Sequence, residues 1–412
     1  MSDGRLTTRQ VAEVLGVKVE TVYAYASRGL LSSERVPGGK GSTFDAREVA
    51  ALSVGQRRRS PRAPSPVPGL PPIEPVIIST ELTLIEDGRL YYRGRDAVEL
   101  AERYGFESAV GWLWGVGIEP GVELRAPADL VAGLRRSAAT LPAATRLPDR
   151  LRVSAAVAAS LDPLRFDLRE STVRAAGAAL IAALVEALPG PPTPADASLA
   201  ARLWTRLSPA PPPPGAVACL DRALVLLADH ELAVSTVAAR VAASARAHPY
   251  AVVSAGLGAS DGPLHGAASA FAHRMLAEVL AAGDAVPVVS EYLRTGRPIP
   301  GLGHRLYPQG DPRGASLLAA LGQLPGAESV LAAVDAVVRA AGGHHAPAAE
   351  AANVDLALAA FAHLGQLPAE AGEVVFSVAR TAGWLAHAME EYREAPLRMR
   401  ARADYIGLRP ED

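Results

Sequence analysis

Residues 254–269 read SAGLGASDGPLHGAAS. Glycines and Pro263 surround His265, so the backbone there is free to turn and to approach a ligand closely. Working outward, three further stretches each set one titratable side chain in a distinctive context. His304 lies in PIPGLGHRLYPQGDPRG (298–314), after closely spaced glycines and ahead of Asp311-Pro312-Arg313. His230 lies in LLADHELAVSTVAARV (226–241), an otherwise apolar helical stretch with an acid on either side. Asp355 lies in EAANVDLALAAF (350–361), an acid in an apolar helical run. Burial there would raise its pKa and make it a competent base. Taken singly, each of the four is compatible with a structural role.

The remaining titratable groups narrow the field. Of the nine histidines, His248, His273, His363 and His387 sit singly in helical stretches and read as surface or satisfied core. His344 and His345 follow Gly342-Gly343 in a loop with no third ligand at metal spacing, so no metal site is expected. The single cysteine, Cys219, excludes a disulfide framework and any cysteine-based zinc cluster. The 412 residues suggest two or three domains at roughly 100–200 residues each. A hydrophobic fraction of 49% with only 5% aromatics calls for a core of Ala, Leu and Val. The formal charge of −2 gives no global pull toward nucleic acid or a membrane surface. MSDGRLTT is not followed by the apolar region of a signal peptide, and AAGAALIAALVEAL (175–188) is too short to span a bilayer. A cytoplasmic, mostly helical protein is the expectation.

In chain order, DHE, GPLHG, GHR…DPR and NVD resemble the citrate synthase family. The resemblance begins at the strand pair and GRLYYRGRDAVELAERYGFESAVGWLWG (88–115). It passes through LRFDL (164–168) and ends at FSVARTAGWLAHAMEE (376–391) and RMRARADYIG (398–407). It covers the chain from about Val76 to Gly407 and implies an all-helical fold with a large domain and a small one over roughly 268–370. It also implies condensation of acetyl-CoA with oxaloacetate and water to give citrate and CoA, as in the tricarboxylic acid cycle. No cofactor is implied beyond the CoA thioester, which is a substrate, and a homodimer is implied. By resemblance, Asp355 removes the methyl proton, His265 donates to the thioester oxygen, and His304 polarises the keto group. His230, Arg313, Arg380 and Arg400 would hold the dicarboxylate, Arg400 reaching the partner subunit's site. The family's Arg-Pro-Arg is here Arg400-Ala401-Arg402, so Arg402 is an alternative to Arg400. Ala233 stands where many relatives have Asn, Ala267-Ala268-Ser269 follow GPLHG, and Pro308 replaces a common basic residue. These departures leave the choice between acetyl-CoA and propionyl-CoA, the 2-methylcitrate synthase reaction, open.

Residues 1–60 differ in character. Through Arg62 the chain holds eleven Lys/Arg against six acids, and residues 61–75, PRAPSPVPGLPPIEP, hold seven prolines. The latter reads as a semi-rigid linker preceding a domain over 76–412. Thr7 with Gln10 offers a capping box. VAEVLG and VETVYAYASRG then read as two short helices joined by a turn, with VPGGKGSTFDAREVAAL as a Gly-rich wing and a further helix. This is similar to the MerR/excisionase type of winged helix-turn-helix. That implies Lys18, Thr21, Tyr25 and Arg28 in a DNA major groove and Lys40 on its backbone. A module packing against the enzyme itself is the alternative, as is a regulator using the enzyme-like body as a metabolite sensor.

Overall fold

The computed structural model describes residues 5–15, 17–27, 31–35, 42–45, 49, 78–194, 196–342 and 352–400. The chain divides into two compact units, Met1–Ile77 and Ile78–Asp412.

In the first unit, strands β1 (Arg5–Thr7), β2 (Ser33–Arg35) and β3 (Ser42–Asp45) form an antiparallel sheet in the order β1-β3-β2. Helices α1 (Thr8–Leu15) and α2 (Val19–Ser27) follow β1. The capping box is present: Thr7 N–H donates to Gln10 Oε1 at 2.9 Å, and Gln10 N–H returns to Thr7 Oγ1 at 3.4 Å. Val11, Val22, Leu31 and Phe44 are buried, with Leu15 and Val17 packed against them. The sequence reading of two short helices joined by a turn agrees with these elements. Arg28, Lys40 and the proline-rich segment lie outside the described residues.

The second unit opens with β4 (Thr83–Glu86), β5 (Arg89–Tyr92) and β6 (Arg95–Asp96), paired antiparallel in that order. Asp87 and Gly88 have φ of 50° and 73°, the left-handed pair that a two-residue hairpin requires. Tyr92 points inward, and its hydroxyl meets the carbonyls of Val225, Leu226 and Asp229 at 3.0–3.1 Å. This small sheet thereby fastens the chain just before His230.

Helices then dominate: α3 (Ala97–Arg103), α4 (Phe106–Leu113), α5 (Ala128–Ala138), α6 (Leu147–Leu161), α7 (Glu170–Glu186) and α8 (Leu199–Leu207). Next come α9 (Ala216–Leu227), α10 (Val234–Ser244), α11 (Pro249–Ser260), α12 (Ala268–Ala282) and α13 (Ala285–Arg294). The last are α14 (Pro312–Leu321), α15 (Glu328–Gly342), α16 (Val354–Leu364) and α17 (Ala371–Arg393). Helix α17 is buried almost all round, and it carries the titratable residues Glu373, Arg380, His387 and Glu391 into the interior among its apolar ones. Small residues let its neighbours approach: a Cβ added at Gly256 of α11 would lie 2.5 Å from the Trp384 ring. That is the packing an Ala-rich, aromatic-poor chain can achieve. Among the described residues, no helix is long and apolar enough to cross a membrane.

Candidate active site

The helical run predicted through His230 is broken: α9 ends at Leu227, α10 begins at Val234, and Glu231 takes a left-handed φ of 51°. His230 therefore sits in a tight connection between helices. The Tyr92 hydroxyl caps carbonyls at the end of α9, and a turn rather than a regular helix presents the ring.

Around it the structure gathers most of the residues marked in the sequence. His230 Nε2 is 2.9 Å from the Tyr307 hydroxyl. The His230 and His304 rings meet edge to face with centroids 5.2 Å apart, and Tyr307 lies 4.8 Å from His304. Arg313 stacks over Tyr307 at 5.5 Å. Burial holds His230 well below its ordinary pKa, with the charges of Arg313 and Arg380 and the nearby rings of His304 and His265 acting in the same direction. His304 is also lowered, by burial and then by Arg313. Its Nδ1 accepts the Leu306 N–H at 3.1 Å, so the proton of the neutral ring sits on Nε2, available as a donor.

His265 lies in the connection between α11 and α12. Its Nε2 is 2.7 Å from Ser235 Oγ, and the Trp384 indole N–H donates to the same oxygen at 3.2 Å. The serine hydroxyl can donate to Nε2, and in that tautomer the ring proton sits on Nδ1. The ring packs edge-on against Phe376 at 5.2 Å. Burial, then Arg380, lowers its pKa to about 4. His265 is thus a neutral donor throughout the physiological range.

Asp355 occupies the first turn of α16, which Asn353 caps by accepting from the Asp355 and Leu356 N–H groups. Asn353 also reaches across the site. Its Nδ2 donates to Gly303 O at 2.9 Å, and its N–H to Gly301 O at 2.9 Å. Burial pushes the Asp355 carboxyl up to about 7; Arg313 opposes the shift and Asp311 adds to it. Part of the residue's surface remains accessible. A carboxyl whose pKa lies near neutrality can take a proton from a bound molecule.

Two buried guanidiniums complete the cluster. Arg313 holds Asp311 by a two-pronged contact, Nε to Oδ1 and Nη2 to Oδ2, both at 2.9 Å. Burial alone would raise the Asp311 pKa; Arg313 outweighs it and keeps the carboxylate charged. Arg380 donates from Nε to Leu227 O at 2.8 Å, while its buried Nη1 has no partner. Such an orphan donor is what an anionic ligand would satisfy.

Arg400 is not in this group. It is exposed beyond α17, and Arg402 lies outside the described residues. Among the described residues no group of acids, histidines and cysteine could hold a metal ion. Surface cavities of about 350, 440 and 410 Å³ lie elsewhere, lined by Arg89 and Arg95, by Arg125 and Arg135, and by Cys219 and Asp221. They contain none of the cluster residues. Sequence reasoning missed Ser235, Tyr307 and the capping role of Asn353. All three stand within the quoted motifs. Ser235 and Tyr307 are revealed only by long-range partners, whereas an asparagine just ahead of an apolar helical run was a local signal for the cap.

The family profile described as citrate synthase, C-terminal domain, matches residues 74–402. Citrate synthase 2 of Bacillus subtilis is 34% identical over 48% of this chain and 52% of its own. The chain thus spans about half the length of this and other curated relatives. A protein of Corynebacterium glutamicum named 2-methylcitrate synthase 2 is 26% identical over 78% of this chain and 90% of its own. The solved structure of citrate synthase from Thermotoga maritima superposes with a TM-score of 0.65 at 25% identity, covering 84% of this chain and 97% of that one. With the profile spanning most of the sequence on a shared helical architecture, the chain belongs to the citrate synthase family.

Proposed function

We propose that this protein condenses acetyl-CoA with oxaloacetate and water to give citrate and CoA, working as a homodimer. The observation that carries the reading is the pairing of a carboxyl raised to about 7, Asp355, with neutral imidazole donors at His265 and His304. A thioester methyl group is a very weak acid. Its deprotonation needs a base whose pKa is near ambient and a donor that stabilises the enol oxygen. Asp355 takes the methyl proton, His265 Nδ1–H steadies the thioester oxygen, and His304 Nε2–H polarises the keto group and protonates the new alkoxide. Water then cleaves the citryl thioester. His230, Arg313 and Arg380 bind the dicarboxylate, and Arg400 or Arg402 completes the partner's site. The exposed apolar side chains of Leu161, Leu164 and Phe166, close together in the chain at the end of α6 and just after it, support a subunit interface.

Thiol release in the presence of oxaloacetate tests this, with acetyl-CoA and propionyl-CoA compared. Acetyl-CoA is expected to give the higher kcat/KM. One methylene is worth about 1–3 kcal/mol in a pocket, so a reversed preference would point to 2-methylcitrate synthesis, the reading favoured by the Corynebacterium relative. Oxaloacetate binding without thiol release from either thioester would instead favour a sensor.

The second reading concerns the N-terminal unit, proposed here as a DNA-binding helix-turn-helix on the strength of its α1–α2 pair and three-stranded sheet. Its modest positive charge predicts weak, steeply salt-dependent binding. Deleting residues 1–75 is expected to abolish any mobility shift of DNA and leave turnover largely unchanged. A truncated protein that folds but does not turn over would make the unit part of the enzyme.

A further inference from the structure

Among the described residues, a chain of mutually bonded, mostly buried charges begins beside the site and ends at the C-terminal segment. Asp229, the residue before His230, is fully buried. Its Oδ2 accepts from the Thr83 hydroxyl and from His387 Nε2 at 3.1 Å. On the other side of that imidazole, Nδ1 lies 2.8 Å from Arg240 Nη1. A guanidinium can only donate, so Nδ1 accepts and the proton of a neutral ring sits on Nε2, aimed at Asp229. Arg240 is held in turn by Glu390 at 2.7 Å and, through Nε, by Glu391 at 3.1 Å. Glu391 then takes Arg398 Nε at 2.9 Å and Nη2 at 2.6 Å. Arg398 stands on the segment beyond α17, which is anchored by Leu397 N–H to Ser244 O at 2.8 Å. Arg400 is two residues further on.

The carboxylates and guanidiniums balance in number. Asp229, Glu390 and Glu391 face Arg240, Arg398 and Arg380, the last close enough to stabilise the Asp229 carboxylate. The backbone of Asp229 is pinned as well: its carbonyl accepts from the Tyr92 hydroxyl at 3.0 Å, and its N–H approaches the same oxygen at 3.3 Å. Both main chain and side chain of the residue ahead of His230 are therefore fixed from outside the site. A network with nearly every member satisfied rigidifies what it touches.

We infer that the chain Asp229–His387–Arg240–Glu391–Arg398 holds His230 and Arg380 in register for an anionic substrate and ties that register to the seating of the C-terminal segment, making Asp229 and His387 positioning residues. This rests on the reading of His230 and Arg380 as dicarboxylate ligands. The segment that would carry Arg400 to a neighbouring subunit is thus bonded, through four intermediaries, to the substrate pocket of its own subunit.

The test uses the full chain with His387→Leu, His387→Gln, Arg398→Gln and Arg398→Lys. Glutamine can accept from Arg240 and donate to Asp229 through its two amide atoms, whereas leucine can do neither. His387→Leu is expected to raise the oxaloacetate Kd by calorimetry, and its KM, about tenfold or more, with kcat and the thioester KM within about threefold of the parent. His387→Gln should recover most of the loss. Arg398 is partly exposed, so its variants should fold in any case. Arg398→Gln should weaken oxaloacetate binding about three- to tenfold, and Arg398→Lys less. If Arg398→Gln, or a folded His387→Leu, binds oxaloacetate as the parent does and only lowers the melting temperature, the network is structural and the inference is overturned. Failure of the parent to bind oxaloacetate would instead remove the ligand reading beneath it.

Discussion

Asp355→Asn is expected to lower turnover by about 10²–10⁴, the usual span for general acid–base catalysis, while oxaloacetate binding survives. The substitution keeps the size of the side chain and removes its ability to accept the methyl proton. Steady-state kinetics with calorimetric titration separates the two effects, and near-normal turnover would remove the carboxylate from the mechanism. In the parent, kcat/KM should rise with pH through about 7 as Asp355 loses its proton. Stability should run the other way. A carboxyl whose folded pKa exceeds its ordinary 3.8 contributes stability below that value, and loses it as pH rises through about 7. The asparagine variant lacks this loss. It should be the more stable protein at pH 8 by up to about 4 kcal/mol before solvent screening, with little difference at pH 4.

Arg313→Met is the largest stability effect expected, about 3–5 kcal/mol. Asp311 is buried and depends on the arginine for two of its contacts; the backbone N–H groups of Arg313 and Val354 supply the others at 3.0 Å. Removing only the cation strands a charge away from water. Denaturant midpoints should show the loss, and adding Asp311→Asn to the same chain should recover much of it. If the single variant unfolds at the parent's midpoint, water must already screen the pair.

The glycine-flanked histidines and the acid in an apolar run were legible because their context is local and unusual. His265, His304 and Asp355 stand near turns or helix starts that glycine, proline and asparagine announce in the sequence. The hairpin at Asp87-Gly88 was legible for the same reason. His230 was misplaced on a helix because apolar residues continue on both sides of the break, and periodicity cannot register one left-handed residue at Glu231. Tyr307 escaped notice because its partner is 77 positions away, and no local pattern separates it from any other tyrosine. His387 was read as surface or satisfied core. The core reading describes its burial, but its partners Asp229 and Arg240 come from elsewhere in the chain, and only the fold brings them together.

The bonds from Asn353 to Gly301 and Gly303 have a geometric consequence. They clamp the first turn of α16 to the loop carrying His304, so Asp355 and His304 ride on a common mount. His230, His265 and Arg380 ride on another, made of α9, α10, α11 and α17. The Tyr307 hydroxyl, 2.9 Å from His230 Nε2, joins the two mounts directly. The spacing of His304 and Asp355 is set by the backbone of their own mount. His304 and Asp355 are then presented to His265 as a pair rather than as two side chains finding their places independently.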